Sequence, residues 1–435
     1  MRPVFSIAGA FTIAAVTFCG GCRRGDSDGF LKIEELAELP ALSTTAHPGL
    51  QQEYGRLSEE GGTPRQLARR EVPDPANVAV ALAEAFPSSS RQLRSLLDDS
   101  WELLPARGFE FDAAALARIS EFRARHRQLC EAVRAALKRP RCELGIEHLR
   151  GPLADSSNVD RFVLAGRLES FAAAEALADG QSRAALDAWE AMLRLAECLA
   201  AEWHPVARLE GAYLRSEALA VAEAIANRRN ASRAELDRMA KVVADLLASW
   251  PDDARAWIGD RAVGLFYYEA ARRGRLADLL GETDLAALGG REVVGGFGDP
   301  SRYDLDADQL FYLVSMRAII DGCREPYYRR RAVFDEIDRQ LTALEATDGY
   351  PLVAGKILLA DVQKGHLVQA RDRANWEGWS CALTAALGEN VPDRTNPLTG
   401  QPYRIERDDG RVVVRGIGSS SPGDDTPVVV PLLPR

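Results

Sequence analysis

Carboxylates are the side chains of this 435-residue chain that could most readily do chemistry. Hydrolysis of a glycosidic bond needs two carboxyl groups that face each other across the sugar, and Asp260, Glu269 and Glu377 are candidates for such a pair. A chain of this length offers many carboxylates, and their spacing in the sequence does not show which of them meet in space. The catalytic residues therefore stay unknown, and a hydrolase is an alternative rather than the first hypothesis.

Two aromatic groups could form a stacking platform for a sugar. Trp376 and Trp379 lie three residues apart, and Phe266, Tyr267 and Tyr268 are consecutive. Aromatic side chains in helices commonly bury their large apolar surface in a core. We therefore expect core packing at both groups, with sugar binding as the alternative.

The histidines show no catalytic or metal-binding pattern. They are His47, His126, His148, His204 and His366. None lies in an H-E-x-x-H motif or beside G-x-S-x-G. The sequence thus predicts neither a histidine metal centre nor a catalytic triad, and no cofactor is expected.

The cysteines that follow residue 22 are widely spaced along the chain. They are Cys130, Cys142, Cys198, Cys323 and Cys381. This spacing excludes a small disulfide scaffold and does not fit a zinc site, which needs closer pairs. We expect buried free thiols. The alternative is a local bridge between Cys130 and Cys142, which flank a predicted helix end at Pro140.

Composition and charge narrow the class of protein. The chain is 46% hydrophobic and 27% charged, as globular proteins are, and its length predicts two or three domains. The net charge of −10 argues against a nucleic-acid partner, because such affinity depends on neutralising phosphates.

The N-terminus has the composition of an export signal. Arg2 provides a positive start, and residues 4–18 form an uncharged, mostly apolar run. That run is shorter than the roughly 20 residues that span a bilayer, which favours a signal peptide over residues 1–21. Gly20 and Gly21 then lead directly into Cys22.

This segment resembles the bacterial lipoprotein signal, although Cys19 stands where that signal usually has an aliphatic residue. The resemblance implies cleavage after Gly21 and lipidation of Cys22. It also implies an exported protein, periplasmic or on the outer surface, that is anchored to a membrane through Cys22. An ordinary cleaved signal and an uncleaved anchor are the alternatives.

Most of the remaining chain has helical periodicity. Residues 22–75 mix Gly, Pro, Ser and charge, which predicts a lipidated cysteine followed by a flexible tether. Residues 76–280 predict a helical-hairpin domain, with Asp112 as an N-cap and Ser232 with Glu235 as a capping box. The predicted helices cover residues 112–137, 161–178, 182–203, 209–227, 232–250, 252–273, 306–321, 326–346 and about 352–387.

Two of these helical hairpins look like copies of each other. Residues 174–178 recur at 222–226, and residues 182–187 recur at 232–237. A single hairpin can bury its apolar face only against a neighbour, so the repetition predicts stacked helical hairpins. Chance similarity between two alanine-rich and leucine-rich helices is the alternative.

The last third of the chain changes in composition. Residues 281–304 are glycine-rich, lack the phosphate-loop pattern and predict a linker to a second helical region at 305–390. Residues 391–435 predict a β-hairpin tail. In that tail Asp408-Asp409-Gly410 forms the turn, and residues 428–430 form a third strand.

The tail also carries a recognisable pattern. Asn396-Pro397, Gly400, Pro402-Tyr403, a hairpin and Gly416-Ile417-Gly418 follow one another. This resembles the C-terminal region of type II secretion pseudopilins, whose last loop binds calcium. Asp424 and Asp425 would be the matching ligands. Calcium takes about six to eight oxygens, so we expect a solvated acidic turn, with a weak calcium site as the alternative. The pilin assembly signal is absent, so a pilin subunit is not expected.

The sequence thus predicts a mainly α-helical fold of stacked helical hairpins with a small C-terminal β-hairpin module. We expect an exported, lipid-anchored scaffold or binding protein of the cell envelope with no identifiable catalysis. Its expected partners are the membrane, reached through the lipid anchor, and an envelope protein or polymer. The alternative is an envelope glycan hydrolase with paired carboxylates in a helical cleft.

Overall fold

The computed structural model describes residues 46–68, 73–105, 108–228, 231–345, 347, 349–408, 410–415 and 428–432. Cys22 and the rest of the export segment lie outside these residues, as do Asp424 and Asp425. The described chain is mainly helical, with sixteen α-helices and a small antiparallel sheet near the C-terminus. The predicted fold class is therefore confirmed.

Helices make up most of the described chain. In chain order they are α1 Pro48–Glu59, α2 Pro64–Leu67, α3 Val78–Ala85, α4 Ser90–Trp101, α5 Ala113–Arg125, α6 Arg127–Ala136, α7 Ser157–Ala178, α8 Ser182–Ala200, α9 Pro205–Ala226, α10 Arg233–Ala248, α11 Ala254–Arg272, α12 Glu282–Ala287, α13 Arg291–Gly295, α14 Leu305–Gly322, α15 Tyr327–Leu344 and α16 Val362–Ala386. One turn of π-helix, Ala354–Leu358, precedes α16.

The predicted helix starts are confirmed by their caps. Asp112 accepts a hydrogen bond from the Ala115 backbone N–H at 2.7 Å, and Ser232 and Glu235 form the reciprocal capping box. The predicted single helix over 112–137 is wrong, because His126 leaves helical geometry (φ −108°, ψ 28°) and divides it into α5 and α6.

The buried apolar side chains form two cores. The first core collects α3 to α10, the C-terminal half of α16 and the tail sheet. The second core collects α1, α11 to α15, the π-helical turn and the N-terminal half of α16. Because α11 belongs to the second core and α16 to both, the cores do not divide at residue 280.

Two segments predicted to be flexible contribute to the second core. Leu50, Tyr54 and Leu57 of α1 are buried, so residues 48–59 belong to the core and not to a tether. Leu288, Val294 and Phe297 are also buried, so the glycine-rich stretch 281–304 holds α12 and α13 and packs into the core. The linker was predicted from the glycine content. The apolar residues between the glycines determine instead how this stretch packs.

The two predicted copies have the same pattern of buried residues, but their helices pack against different neighbours. The matched apolar stripes of α8 and α10 are buried, at Leu186, Trp189, Leu193 and Ala196 and at Leu236, Met239, Val243 and Leu246. Helices α7, α8 and α9 pack in sequence as neighbours. Helix α10 instead packs chiefly against α16, which comes more than a hundred residues later in the chain.

The tail forms the predicted hairpin and third strand. Strands β1 Arg404–Asp408, β2 Arg411–Arg415 and β3 Val428–Pro431 pair antiparallel in the order β1-β2-β3. Alternating valines, among them Val412, Val414 and Val430, are fully buried against α16. The sheet is therefore part of the first core.

Buried ion pairs join the helices where the two cores meet. Asp253, just before α11, accepts from Arg208 of α9 at 2.7 Å and pairs with Arg330 of α15 at 2.9 Å. Arg215 of α9 donates to Asp372 of α16 at 2.5 and 2.8 Å. We call these five residues the central ion cluster. Removing one partner of a buried pair leaves an uncompensated charge, which destabilises the fold strongly.

None of the helices in the described part of the chain combines the length and the apolar composition needed to cross a bilayer.

Candidate functional site

The three candidate carboxylates do not form a pair. Asp260 and Glu269 lie nine residues apart on α11, about 13 Å along the helix axis, which is too far for a glycosidase pair. Glu269 bonds Arg273 in the next turn. Glu377 belongs to α16 and contacts the first core, whereas α11 contributes to the second.

The aromatic groups pack in the cores, as expected. Trp376 and Trp379 are fully buried, and the ring of Trp376 lies 6.4 Å from that of Trp189. Phe266 and Tyr268 are also fully buried, and the Tyr268 hydroxyl donates to Asp308 at 2.6 Å. These rings stabilise the fold and offer no face to a sugar.

An open cavity of about 450 Å³ lies at the surface between α10, α16 and the start of the tail. Its volume falls within the range of small-molecule sites, and it combines apolar with charged walls, as such sites do. The lining residues are Ala244, Leu247, Ala248, Arg373, Glu377, Arg394 and Thr395. This cavity, which we call the α10–α16 cavity, is the candidate functional site.

Glu377 is the anchored acid of this cavity. One carboxylate oxygen accepts from Arg373 Nε at 2.9 Å, and the other accepts from the Tyr403 hydroxyl at 3.2 Å. Burial, followed by the neighbouring Glu377 charge, raises the pKa of Tyr403 well above its usual value. The tyrosine therefore stays a hydrogen-bond donor at every physiological pH and holds the carboxylate in place.

Arg394 is the uncompensated charge of the cavity. It is half-buried, and no other described residue forms a hydrogen bond or ion pair with its guanidinium group. Arg373 is already paired with Glu377, so the cavity carries one net positive charge. A planar guanidinium group with free donors matches a carboxylate or a phosphate.

The opposite wall of the cavity is apolar. Ala244, Leu247 and Ala248 lie on one face of α10, and both alanines are exposed. Val243 and Leu246, on the other face, are buried in the first core. The cavity thus places an apolar strip opposite two guanidinium groups, which suits a ligand with an anionic end and an apolar neighbour.

A second group of charged side chains lies between α7 and α9. Arg167, 3% exposed, donates to Ser100 at 3.2 Å and lies 3.8 Å from Glu217. Its guanidinium carbon is 3.8 Å from the ring centroid of Trp101, which is 45% exposed. Asp160 and Glu210 complete the group, which we call the acidic cluster.

Burial raises the pKa of each carboxyl group in the acidic cluster. Burial raises the pKa of Glu210 to about 7; Arg167 opposes this rise, whereas Asp160 and Glu217 add to it. Burial likewise raises the pKa of Asp160 and of Glu217. A carboxyl group with a pKa near 7 has the property that a general acid requires.

The histidines are structural. His366 is fully buried and stacks on Trp257 at 4.3 Å, and burial together with Arg330 lowers its pKa to about 3. Burial and His148 lower the pKa of His204 to about 4. Within the described residues, no three His, Cys, Asp or Glu side chains converge as metal ligands.

Comparison with protein-family models, with curated proteins and with solved structures finds no match to this chain. The site is therefore interpreted from its own geometry.

Sequence reasoning identified one residue of the α10–α16 cavity, Glu377, and missed the others. Arg373 could have been paired with Glu377 from their spacing of four residues in a helix. Arg394 and the α10 wall have no such local signal, because only tertiary packing brings them to α16. The acidic cluster was missed because charges seven residues apart on a helix usually mark a solvated face.

Proposed function

We propose that this protein is an exported, lipid-anchored binding protein of the cell envelope, and that its α10–α16 cavity binds a carboxylate-bearing partner. The observation that carries the binding site is the guanidinium group of Arg394, which pairs with none of the described residues and lines a cavity of about 450 Å³. The export and the anchor rest on the segment that ends in Gly20-Gly21-Cys22.

The chemistry of the cavity favours a peptide end over a bare ion. Arg394 and the free donors of Arg373 can bind a terminal carboxylate, while Leu247 and its neighbouring alanines offer contact to the last side chain of the peptide. The lining holds both charged and apolar side chains, so each part of such a ligand has a matching surface. A protein of the envelope with an apolar C-terminal residue fits this description.

The test is a calorimetric titration of the chain carrying Cys22→Ser, which blocks lipidation. The probes are acetylated tripeptides that end in leucine, with either a free or an amidated C-terminus. We expect the free carboxylate to bind and the amide to bind at least tenfold more weakly. Arg394→Gln should remove most of this preference, because a charge-assisted hydrogen bond contributes about 1.5–3 kcal/mol.

Arg183→Gln is the matched control, since Arg183 is exposed on α8 and lies away from the cavity lining. It should leave the affinity unchanged. Equal binding of the free and amidated peptides, or no binding of either, would show that the cavity is not a carboxylate site.

The acidic cluster supports a second candidate function, glycan hydrolysis. Glu210 has the pKa of a general acid, and the exposed ring of Trp101 could stack on a sugar. Release of reducing ends from purified cell-wall glycan, with about a hundredfold loss in Glu210→Gln, would favour the hydrolase. An inert wild-type protein would leave binding as the function of the molecule.

A further inference from the structure

Two cysteines that are distant in sequence lie side by side in the first core. Cys198 lies on α8 and is buried, and Cys142 lies in the segment between α6 and α7 and is half-buried. Cys198 is the first of the neighbours that raise the pKa of the Cys142 thiol, so the two side chains lie close together. Both are free thiols in the structure, as is Cys130, the alternative partner for Cys142, which lies beside Arg123.

Backbone anchors on both sides fix this juxtaposition. Arg194 and Cys198 lie four residues apart on one face of α8, and Glu202 follows just after the C-terminal end of that helix. Arg194 donates to the carbonyl oxygen of Arg139, and Glu202 accepts from the Leu144 backbone N–H at 2.7 Å. The segment from 139 to 144 therefore runs along this face, and Cys142 lies opposite Cys198.

We propose that Cys142 and Cys198 form a disulfide bond when the protein folds in an oxidising compartment. In the first step one thiolate attacks a disulfide oxidant, either a small molecule or an oxidoreductase, and forms a mixed disulfide. The second thiolate then displaces the oxidant sulfur. The two cysteines together lose two protons and two electrons, and the oxidant is reduced to two thiols. The bond would tie the segment before α7 to α8.

The environment sets when this bond forms. The neighbouring Cys198 and burial raise the pKa of Cys142 well above its usual value, so Cys142 stays a thiol in the folded chain. Exchange requires a thiolate, so oxidation of the folded protein is slow. The bond should form during folding, while the segment 139–144 is still open. This inference is independent of the α10–α16 cavity.

The test is refolding of the full chain in a mixture of reduced and oxidised glutathione, followed by alkylation of free thiols and tryptic mapping. We expect the tryptic peptides 142–150 and 195–208 to be joined and to separate on reduction. Reduction of the wild type should lower its melting temperature by about 5 °C. Cys130→Ser, the matched control, should retain the joined peptides.

Cys198→Ser should remove both the joined peptides and the effect of reduction on the melting temperature. The wild-type map decides the matter even if that variant folds poorly. Recovery of peptides 142–150 and 195–208 with alkylated thiols, or a bond from Cys142 to another cysteine, would overturn the proposal.

Discussion

Asp260 shows how one buried group can set the pH dependence of stability. Its side chain is 8% exposed on α11, and burial raises its pKa to about 7. The unfolded chain releases this proton near pH 4, whereas the native protein keeps it until about pH 7. The contribution of Asp260 to stability is therefore fully present below about pH 4 and is lost as the pH rises through 7.

Asp260→Asn should flatten this dependence, because the amide keeps the shape of the side chain and does not ionise. When the pH rises from 5 to 8, the free energy of unfolding of the wild type should fall by about 2 kcal/mol relative to that of the variant. Urea unfolding at the two pH values measures this gain. Asp179→Asn, at an exposed position, is the control. Parallel pH profiles for the wild type and Asp260→Asn would contradict the assignment.

Residue by residue, the candidate site was only partly readable from the sequence. Glu377 was a candidate for its chemistry, but its neighbours decide its role. Tyr403 and Arg373 hold its carboxylate, so it orders the cavity wall and is not a free catalytic acid. The contact from Tyr403 crosses from the tail to α16, and no local pattern predicts such a contact.

At the scale of elements, α11 crosses the connection between α8 and α9 at a glycine. A Cβ atom on Gly259 would overlap the backbone carbonyl group of Trp203. Because a backbone carbonyl cannot rotate away as a side chain can, the missing Cβ allows the close approach. This crossing brings α11 of the second core against the helices of the first.

Gly259→Ala should therefore destabilise the protein by about 3 kcal/mol, although alanine is the better helix former. Gly55→Ala is the matched control, since Gly55 lies within α1 and a Cβ there meets no atom within 4 Å. It should stabilise the protein by about 0.5–1 kcal/mol. Denaturant unfolding of both variants checks the pair. Similar effects at the two positions would mean that α11 does not approach Trp203 closely.

Helix positions were predicted better than helix partners. Apolar periodicity and caps located α7 to α11 and α14 to α16 to within a few residues, except at the start of α16, because these signals are local. The hairpin turn at Gly410 located the sheet for the same reason. The packing of α10 on α16, and the second core around α1 and α11, depend on contacts between distant segments that have no local signature.

The described part of the molecule has two apolar cores, and buried ion pairs lie where they meet. The central ion cluster contributes three arginines and two aspartates from α9, α15, α16 and the residue before α11. This junction was not predicted from the sequence. Apolar periodicity marks the apolar residues that face a core. It gives no signal for a charged residue that forms an ion pair in the interior.

The proposed function depends most on where the protein is located, because the lipid anchor at Cys22 requires export. The proposed disulfide bond also requires export, because it forms in an oxidising compartment. The direct measurement is mass spectrometry of the N-terminal peptide of protein purified from the cell envelope. We expect residues 1–21 to be absent and Cys22 to carry acyl chains. In the Cys22→Ser variant, the N-terminal peptide should lack the acyl mass, and the protein should no longer associate with the membrane. An unmodified peptide that begins at Met1, recovered from cytosolic protein, would contradict the account.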